Sequence, residues 1–301
     1  MNSAPLKIGV FDSGFGGLTV LRELLRAIPG AHFMYVGDTA RLPYGAKSRA
    51  TVSRYAVESA RLLESRGAQL LVIACNTATA LALDDIRAAV RVPVVGVIEP
   101  GAHATAAAIR SSQQSELSSR PQPSPREGEA ERPLYLPSQG APEVLVLATA
   151  ATVQSHAYNA ACAALGMNAT EKACPLLVPL VEEGWIDHPV TRDVLRIYLS
   201  EALAECAPRA VLLGCTHYPL IAAQIEQTLH DLGSSAVVID SAHATAAAVA
   251  RELTARSLFP TDTHPSTFEC FATDSIEKFQ RLGSLFLGQP ITQIQLLDLG
   301  G

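Results

Sequence analysis

Short apolar runs typical of β-strands alternate along this chain with longer stretches of helical periodicity. The predicted strands cover residues 6–11, 33–36, 69–74, 94–98, 144–148, 210–214, 236–239 and 292–297. Amphipathic helices are predicted, among others, over residues 18–28, 50–66 and 190–206. Such an alternation builds βαβ units, whose parallel strands are covered by helices on both faces and are therefore apolar along their length. The sequence thus predicts an α/β fold with doubly wound, mainly parallel sheets.

The composition is that of an acidic protein with ample core material. Of its 301 residues, 48% are hydrophobic and 17% are charged. The formal net charge of −6 argues against nucleic acid or an anionic membrane surface as the main partner. The longest apolar runs, residues 69–75 and 210–215, are far shorter than the roughly 20 residues that span a bilayer. Residues 1–10 lead directly into a strand without a signal-peptide pattern, so we expect a cytoplasmic location.

One segment, residues 111–142, breaks the alternation. It contains six of the nineteen prolines, together with Ser, Gln and mixed charges, and has little to bury. We interpret it as a surface insertion that is disordered. Without it, the chain has the length of two ordinary α/β halves.

A weak internal repeat supports two related halves. Residues 72–86 and 212–226 share one design: an apolar strand, a cysteine at its end, two small or polar residues, and then a helix. Two such copies suggest halves that face each other across a cleft. Chance resemblance between two βα units is the alternative.

The cysteines are predicted to remain thiols. There are six of them, none spaced C-x-x-C, and no histidine pair has metal-ligand spacing, so no metal site is predicted. Cys75 and Cys215 differ from the rest because each ends a strand and precedes a helix, where open α/β sheets bind ligands. A helix N-terminus lowers a thiol pKa and offers N–H groups to an anion. The alternative is a pair of buried cysteines with helix-capping neighbours.

Other candidates flank the predicted strands. The turn Asp12-Ser13-Gly14-Phe15-Gly16-Gly17 follows the first strand, and its glycines would let a ligand approach the backbone. A dinucleotide site is a weak alternative there, because Thr19 stands where a third glycine is needed, although Asp38 ends the second strand. Pro43-Tyr44-Gly45 forms a turn that can present N–H groups to an anion. His217 lies two residues after Cys215 and can activate that thiol.

In combination these motifs resemble glutamate racemases of the Asp/Glu racemase superfamily. The resemblance rests on seven motifs, in family order: FDSGFGGL (11–18), YVGDTARLPYG (35–45), VIACNTAT (72–79), GVIEPG (96–101), LATAATVQS (147–155), CPLLVPLVEEGW (174–185) and LLGCTHYPLI (212–221). It implies two pseudo-symmetric domains with the active site in the cleft between them. We expect residues 1–97 plus 244–301 to form the first, on the Cys75 side, and residues 98–243 the second, on the Cys215 side.

The resemblance implies cofactor-independent interconversion of L- and D-glutamate, with Cys75 and Cys215 as two bases. Asp12 would assist Cys75, and Glu183 and His217 would assist Cys215. The sequence spacing to Cys215 favours Glu183 over Glu182. Substrate contacts are expected from Asp12, Ser13, Pro43, Tyr44, Gly45, Asn76, Thr77, Thr149, Thr152, Thr216 and His217.

Further expectations concern the cofactor, the partners and the alternative functions. Pyridoxal phosphate would need a Schiff-base lysine, and none of Lys7, Lys47, Lys172 and Lys278 ends a strand as the two cysteines do. The implied partners are L- and D-glutamate and a second copy in a homodimer. The implied role is supply of D-glutamate for peptidoglycan, hence for cell wall biogenesis and cell shape. An aspartate racemase and a nucleotide-binding regulatory protein are the rival interpretations.

Overall fold

Parallel strands and helices alternate through the computed structural model, which describes residues 5–118, 143–261 and 264–299. The strands within these ranges are β1 (Lys7–Asp12), β2 (His32–Gly37), β3 (Leu70–Ile73), β4 (Val94–Gly96), β5 (Val144–Ala148), β6 (Ala169–Ala173), β7 (Ala210–Gly214), β8 (Val237–Asp240), β9 (Thr267–Ala272) and β10 (Ile294–Leu296). The helices are α1 (Leu18–Ala27), α2 (Arg49–Ser65), α3 (Asn76–Ala89), α4 (Ile98–Ser118), α5 (Ala150–Ser155), α6 (Ala157–Ala163), α7 (Leu177–Glu182), α8 (Pro189–Glu205), α9 (Ala222–Asp231), α10 (Ser241–Ala255) and α11 (Ile276–Leu287).

The strands form two separate sheets with matching strand orders. One has six strands in the order β10-β9-β2-β1-β3-β4, and the other has four in the order β6-β5-β7-β8. Every neighbouring pair is parallel. The run β2-β1-β3-β4 therefore has the same topology as β6-β5-β7-β8, with β3 equivalent to β7. The predicted two-sheet α/β fold is confirmed, whereas the predicted domain boundaries stay a prediction.

Helices cover both faces of each sheet and bury the apolar strands. Three clusters of buried side chains result: one reaches from the first sheet to the second, and one lies on the other face of each sheet. All residues of β3, β5 and β7 are buried, which accounts for their nearly unbroken apolar sequences.

Each of the eight predicted strands is present, but two others were missed. The sequence of β6, ATEKA, is polar because this strand lies at the sheet edge and is only half-buried along its length. In β9, TFECFA, burial is confined to the second half, so the strand lacks a continuous apolar run. Neither strand carries the signature of a central parallel strand.

The prediction that disorder begins at residue 111 is wrong for the first residues of the segment. Helix α4 continues to Ser118, because the sequence between residues 111 and 118 contains neither proline nor glycine. The Ser111 and Ser112 hydroxyls donate to carbonyl oxygens four residues earlier, at 3.0 and 3.1 Å. The rest of the predicted insertion, residues 119–142, lies outside the described residues.

Candidate active site

The two cysteines at equivalent strand ends line one small cavity between the two sheets. Its volume is about 30 Å³. The lining residues are Ser13, Gly14, Leu42, Pro43, Tyr44, Gly45, Cys75, Asn76, Thr77, Thr149, Val178, Glu182, Cys215, Thr216 and His217. Because one water needs about 10–15 Å³, this space suits one or two waters and no amino acid. The walls must therefore separate before a ligand of amino-acid size can enter.

Matching topology explains why the cysteines meet. Cys75 lies two residues after the end of β3, and Cys215 directly follows β7. Strand β3 lies beside β1, with β2 on the other side of β1. Strand β7 lies beside β5 in the same way, with β6 on the other side of β5. In each sheet the connections on the two sides of the central strand therefore run in opposite directions. This is the switch point at which open α/β sheets bind ligands. Each sheet thus delivers one sulfur from its carboxyl edge.

Cys75 is buried as a neutral thiol. Its sulfur caps α3 by accepting a hydrogen bond from the Ala78 N–H at 3.4 Å, and its thiol donates to Ser13 Oγ at 3.5 Å. Burial and, second, the charge of Asp12 raise the pKa of Cys75 to about 12. At neutral pH the Cys75 side of the cavity therefore holds a proton.

Asp12 lies behind the cavity wall and is completely buried. One of its carboxylate oxygens accepts a hydrogen bond from the Gly14 N–H at 3.0 Å. The other, Oδ1, has no hydrogen-bond partner among the described residues. Burial raises the pKa of Asp12, although the charge of His217 opposes this. Asp12 is thus a buried acid close enough to affect Cys75, but it does not line the cavity.

Cys215 faces a chain of charged groups. Its sulfur is 3.9 Å from Nδ1 of His217, whose Nε2 is 3.3 Å from Oε1 of Glu182. Lys278 Nζ donates to Oε2 of Glu182 at 3.1 Å. Burial alone lowers the pKa of His217, but hydrogen bonds to Cys215 and Glu182 outweigh it and raise the value to about 10. At neutral pH His217 is therefore a cation next to Cys215.

In the structure the acidic partner of His217 is Glu182 and not Glu183, which the sequence spacing favoured. Glu182 is the last residue of α7, and its side chain turns into the cavity, whereas Glu183 is exposed. Burial raises the pKa of Glu182, but the hydrogen bonds and charges of His217 and Lys278 lower it overall. Neighbouring residues on a helix point about 100° apart, so only one of the pair can face His217.

This assignment predicts different effects for two adjacent substitutions. Glu182→Gln removes the anion beside His217 and should lower the pKa of His217 by about one pH unit or more. The matched control Glu183→Gln should leave that pKa unchanged. Titration of the histidine C–H signals by NMR measures both, and equal pKa values in the two variants would contradict the assignment.

Threonine hydroxyls join the two halves of the site. Thr77, in the first turn of α3, bonds to Thr149 at 3.0 Å and to Thr152 at 3.2 Å. Thr149 caps α5 and lines the cavity, whereas Thr152 is completely buried behind it. Of the predicted threonine contacts, Thr77, Thr149 and Thr216 are thus at the wall and Thr152 supports them.

The turn Pro43-Tyr44-Gly45 is held from behind by Asp38. The Tyr44 hydroxyl donates to Asp38 Oδ2 at 2.5 Å, and Arg41 Nε donates to the same oxygen at 2.7 Å. Asp38 is completely buried and serves as an anchor for this turn. The Tyr44 hydroxyl thus helps to hold the turn in place at the cavity wall.

The glycines of the first βα turn are required by close packing. A Cβ atom on Gly16 would collide with Thr216 Oγ1 and lie 2.8 Å from His217 Nδ1, and one on Gly17 would lie 2.5 Å from Asp12 Cβ. These contacts bring the start of α1 directly against the residues that follow Cys215. The glycines are thereby explained without a nucleotide.

Two other negative observations delimit the site. Within residues 5–118, 143–261 and 264–299, no group of three or more His, Cys, Asp or Glu side chains is placed to hold a metal ion. In the same ranges, no helix is long and apolar enough to cross a membrane.

A larger cavity of about 560 Å³ lies between α3, α4 and α6, but none of the predicted site residues lines it.

Sequence reasoning missed Lys278 and Tyr158. Lys278 lies on α11 and was considered only as a Schiff-base lysine, yet it is paired with Glu182. Tyr158 lies on α6 and bonds to Asn76. No local pattern marks either residue, since each partner is more than 80 positions away.

Comparison with known proteins shows the family to which the chain belongs. The sequence matches a model of the Asp/Glu/hydantoin racemase family over residues 8–113 and 134–249. A glutamate racemase of Koribacter versatilis is 45% identical, covering 98% of each chain. The glutamate racemase of Thermus thermophilus, solved with beta-chloro-D-alanine, aligns at 37% identity over 98% of each chain with a TM-score of 0.77. That of Francisella tularensis, solved with D-glutamate, aligns at 29% identity over 97% of each chain with a TM-score of 0.80.

Proposed function

This chain belongs to the Asp/Glu/hydantoin racemase family and groups with its glutamate racemases, which are isomerases; we propose that it interconverts L- and D-glutamate with two cysteine bases. The observation that carries the proposal is that Cys75 and Cys215 line one small cavity. Each comes from the equivalent strand of a different sheet. Inversion at Cα removes a proton from one face and adds one to the other, so two fixed groups on opposite sides can perform it.

The two sulfurs have different surroundings in the site. Cys75 is a buried thiol with a pKa of about 12, and it can supply a proton. Cys215 lies beside cationic His217, a neighbour that can exchange a proton with a thiol, as in Cys–His enzymes. In one direction Cys215 would take the Cα proton and Cys75 would return one on the opposite face. The roles reverse for the other enantiomer.

Polar groups around the sulfurs account for binding and for stabilisation of the carbanion. The first turn of α3 offers backbone N–H groups and the Asn76 amide to a carboxylate. The turn at Pro43-Tyr44-Gly45 and the hydroxyls of Ser13 and Thr149 complete the wall. A closed, dry site strengthens these interactions as charge develops at Cα. Opening of the cleft would then admit glutamate, and closure would exclude water.

The proposal extends to cellular role and assembly. The enzyme would act in the cytoplasm without a cofactor, supply D-glutamate for peptidoglycan and work as a homodimer. Support for these points is the resemblance of the motifs to glutamate racemases, together with the absence of a strand-end lysine from the sequence. Aspartate is the competing substrate, because aspartate racemases share the superfamily.

A direct assay tests the substrate. Purified protein without added cofactor should convert L-glutamate to D-glutamate, measured by polarimetry, and should convert L-aspartate far more slowly. Iodoacetamide should inactivate it, and glutamate should protect. Faster turnover of aspartate, or activity that survives complete alkylation of Cys75 and Cys215, would contradict the proposal.

A further inference from the structure

Tyr158 connects the second sheet's helices to the first turn of α3. Its side chain is completely buried, and its hydroxyl donates to Oδ1 of Asn76 at 2.5 Å. Tyr158 lies on α6, which packs beside β6, whereas Asn76 follows Cys75 at the end of β3. The hydrogen bond therefore crosses between the two halves of the site.

This bond determines which atom of the Asn76 amide faces the cavity. Asn76 lines the cavity, and its Nδ2 is buried without a hydrogen-bond partner among the described residues. The reverse orientation of the amide would leave the buried phenol hydrogen of Tyr158 without an acceptor there. Burial and the charge of Cys215 raise the pKa of Tyr158, so the phenol keeps its proton. The amide thus offers two N–H donors at the Cys75 side of the cavity.

The Tyr158 ring is itself held firmly. A Cβ atom on Gly214 would lie 2.9 Å from the ring, and one on Gly101 would lie 3.8 Å from it. Gly214 is the last residue of β7 and directly precedes Cys215. The ring is therefore wedged between α4 and the strand that delivers the second sulfur, and it cannot turn away from Asn76 without displacing them.

We propose that Tyr158 is a positioning residue, which fixes the Asn76 amide so that its N–H groups donate to a carboxylate of the substrate. The inference rests on the proposed function and extends it. An amide free to rotate would present its oxygen to the carboxylate part of the time, and two acceptors repel. Tyr158 acts through Asn76 and does not contact the cavity.

Tyr158→Phe tests this by removing only the hydroxyl. The KM for glutamate should rise about tenfold for both enantiomers, equivalent to about 1.4 kcal/mol, because ground-state and transition-state binding weaken together. The kcat should change less than about threefold. Steady-state kinetics in both directions measures the split, and thermal unfolding checks that the variant is folded.

A double-mutant cycle separates positioning from a general loss of packing. In an Asn76→Ala background, Tyr158→Phe should have no further effect on KM, since its target is gone. The matched control is Tyr218→Phe, which removes another completely buried hydroxyl, bonded to the Cys174 carbonyl oxygen at 3.1 Å. It should leave KM within about twofold of the wild type.

Three results would overturn the inference: an unchanged KM in Tyr158→Phe, additive effects in the cycle, or an equal rise of KM in Tyr218→Phe. Failure of the proposed function looks different, because the wild-type protein itself would then not racemise glutamate.

Discussion

Replacement of either Cys75 or Cys215 by alanine should reduce racemisation by at least about a thousandfold, since one positioned acid or base contributes about 10²–10⁴ in rate and each turnover needs both. The fold should survive, because alanine is smaller than cysteine and both sulfurs border the cavity. Loss of activity in a protein that still unfolds cooperatively is the expected result, with a small fall of the unfolding midpoint in Cys75→Ala, which also loses the cap of α3. The matched control is Cys270→Ala, a buried thiol of β9 that does not line the cavity, and it should remain active.

The two variants should differ in what they retain. Each keeps one sulfur on one face of Cα, so each can exchange the Cα proton of only one enantiomer. In D₂O, NMR should show slow exchange of one glutamate enantiomer in Cys75→Ala and of the opposite enantiomer in Cys215→Ala. For the wild type, solvent deuterium should appear mainly in the product. Exchange of the same enantiomer in both variants, or equal early labelling of substrate and product in the wild type, would contradict two bases on opposite faces.

His217→Asn should lower kcat/KM about a hundredfold, because it removes the cation next to Cys215 and leaves Glu182 with Lys278 as its remaining cationic partner. The fall should be equal for both enantiomers, which have the same free energy in water. The matched control is His230→Asn, an exposed histidine on α9, which should have wild-type activity. A loss smaller than about tenfold in His217→Asn, or a similar loss in the control, would be incompatible with this role.

The same histidine predicts a pH dependence. Because the pKa of His217 is raised to about 10 from about 6.5, its ion pair contributes stability that is complete below about pH 6.5 and disappears as pH rises through about 10. The difference in unfolding free energy between wild type and His217→Asn should therefore shrink from pH 6 to pH 10. Urea unfolding across this range measures it, and a difference that grows with pH would have the wrong sign.

The sequence by itself determined the α/β class, the eight strands with apolar runs and the two strand-end cysteines. These features are local: a buried parallel strand needs a continuous apolar run, and the residue after it lies at the sheet's carboxyl edge in any such fold. Because 72–86 and 212–226 share a pattern, the equivalence of β3 and β7 also followed. Strands β6 and β9 were not predicted, since each is only partly buried and therefore lacks that run.

Only the tertiary structure decided which side chains support the cysteines. Glu182 and Glu183 are adjacent in sequence, and the rotation of α7 alone selects the one that faces His217. The partners Lys278 and Tyr158 reach the site from 96 and 82 positions away. Their contacts depend on how α11 and α6 pack. A polar contact forms only when two backbone segments that are distant in sequence lie at the right separation. Local periodicity in the sequence gives no information about that separation.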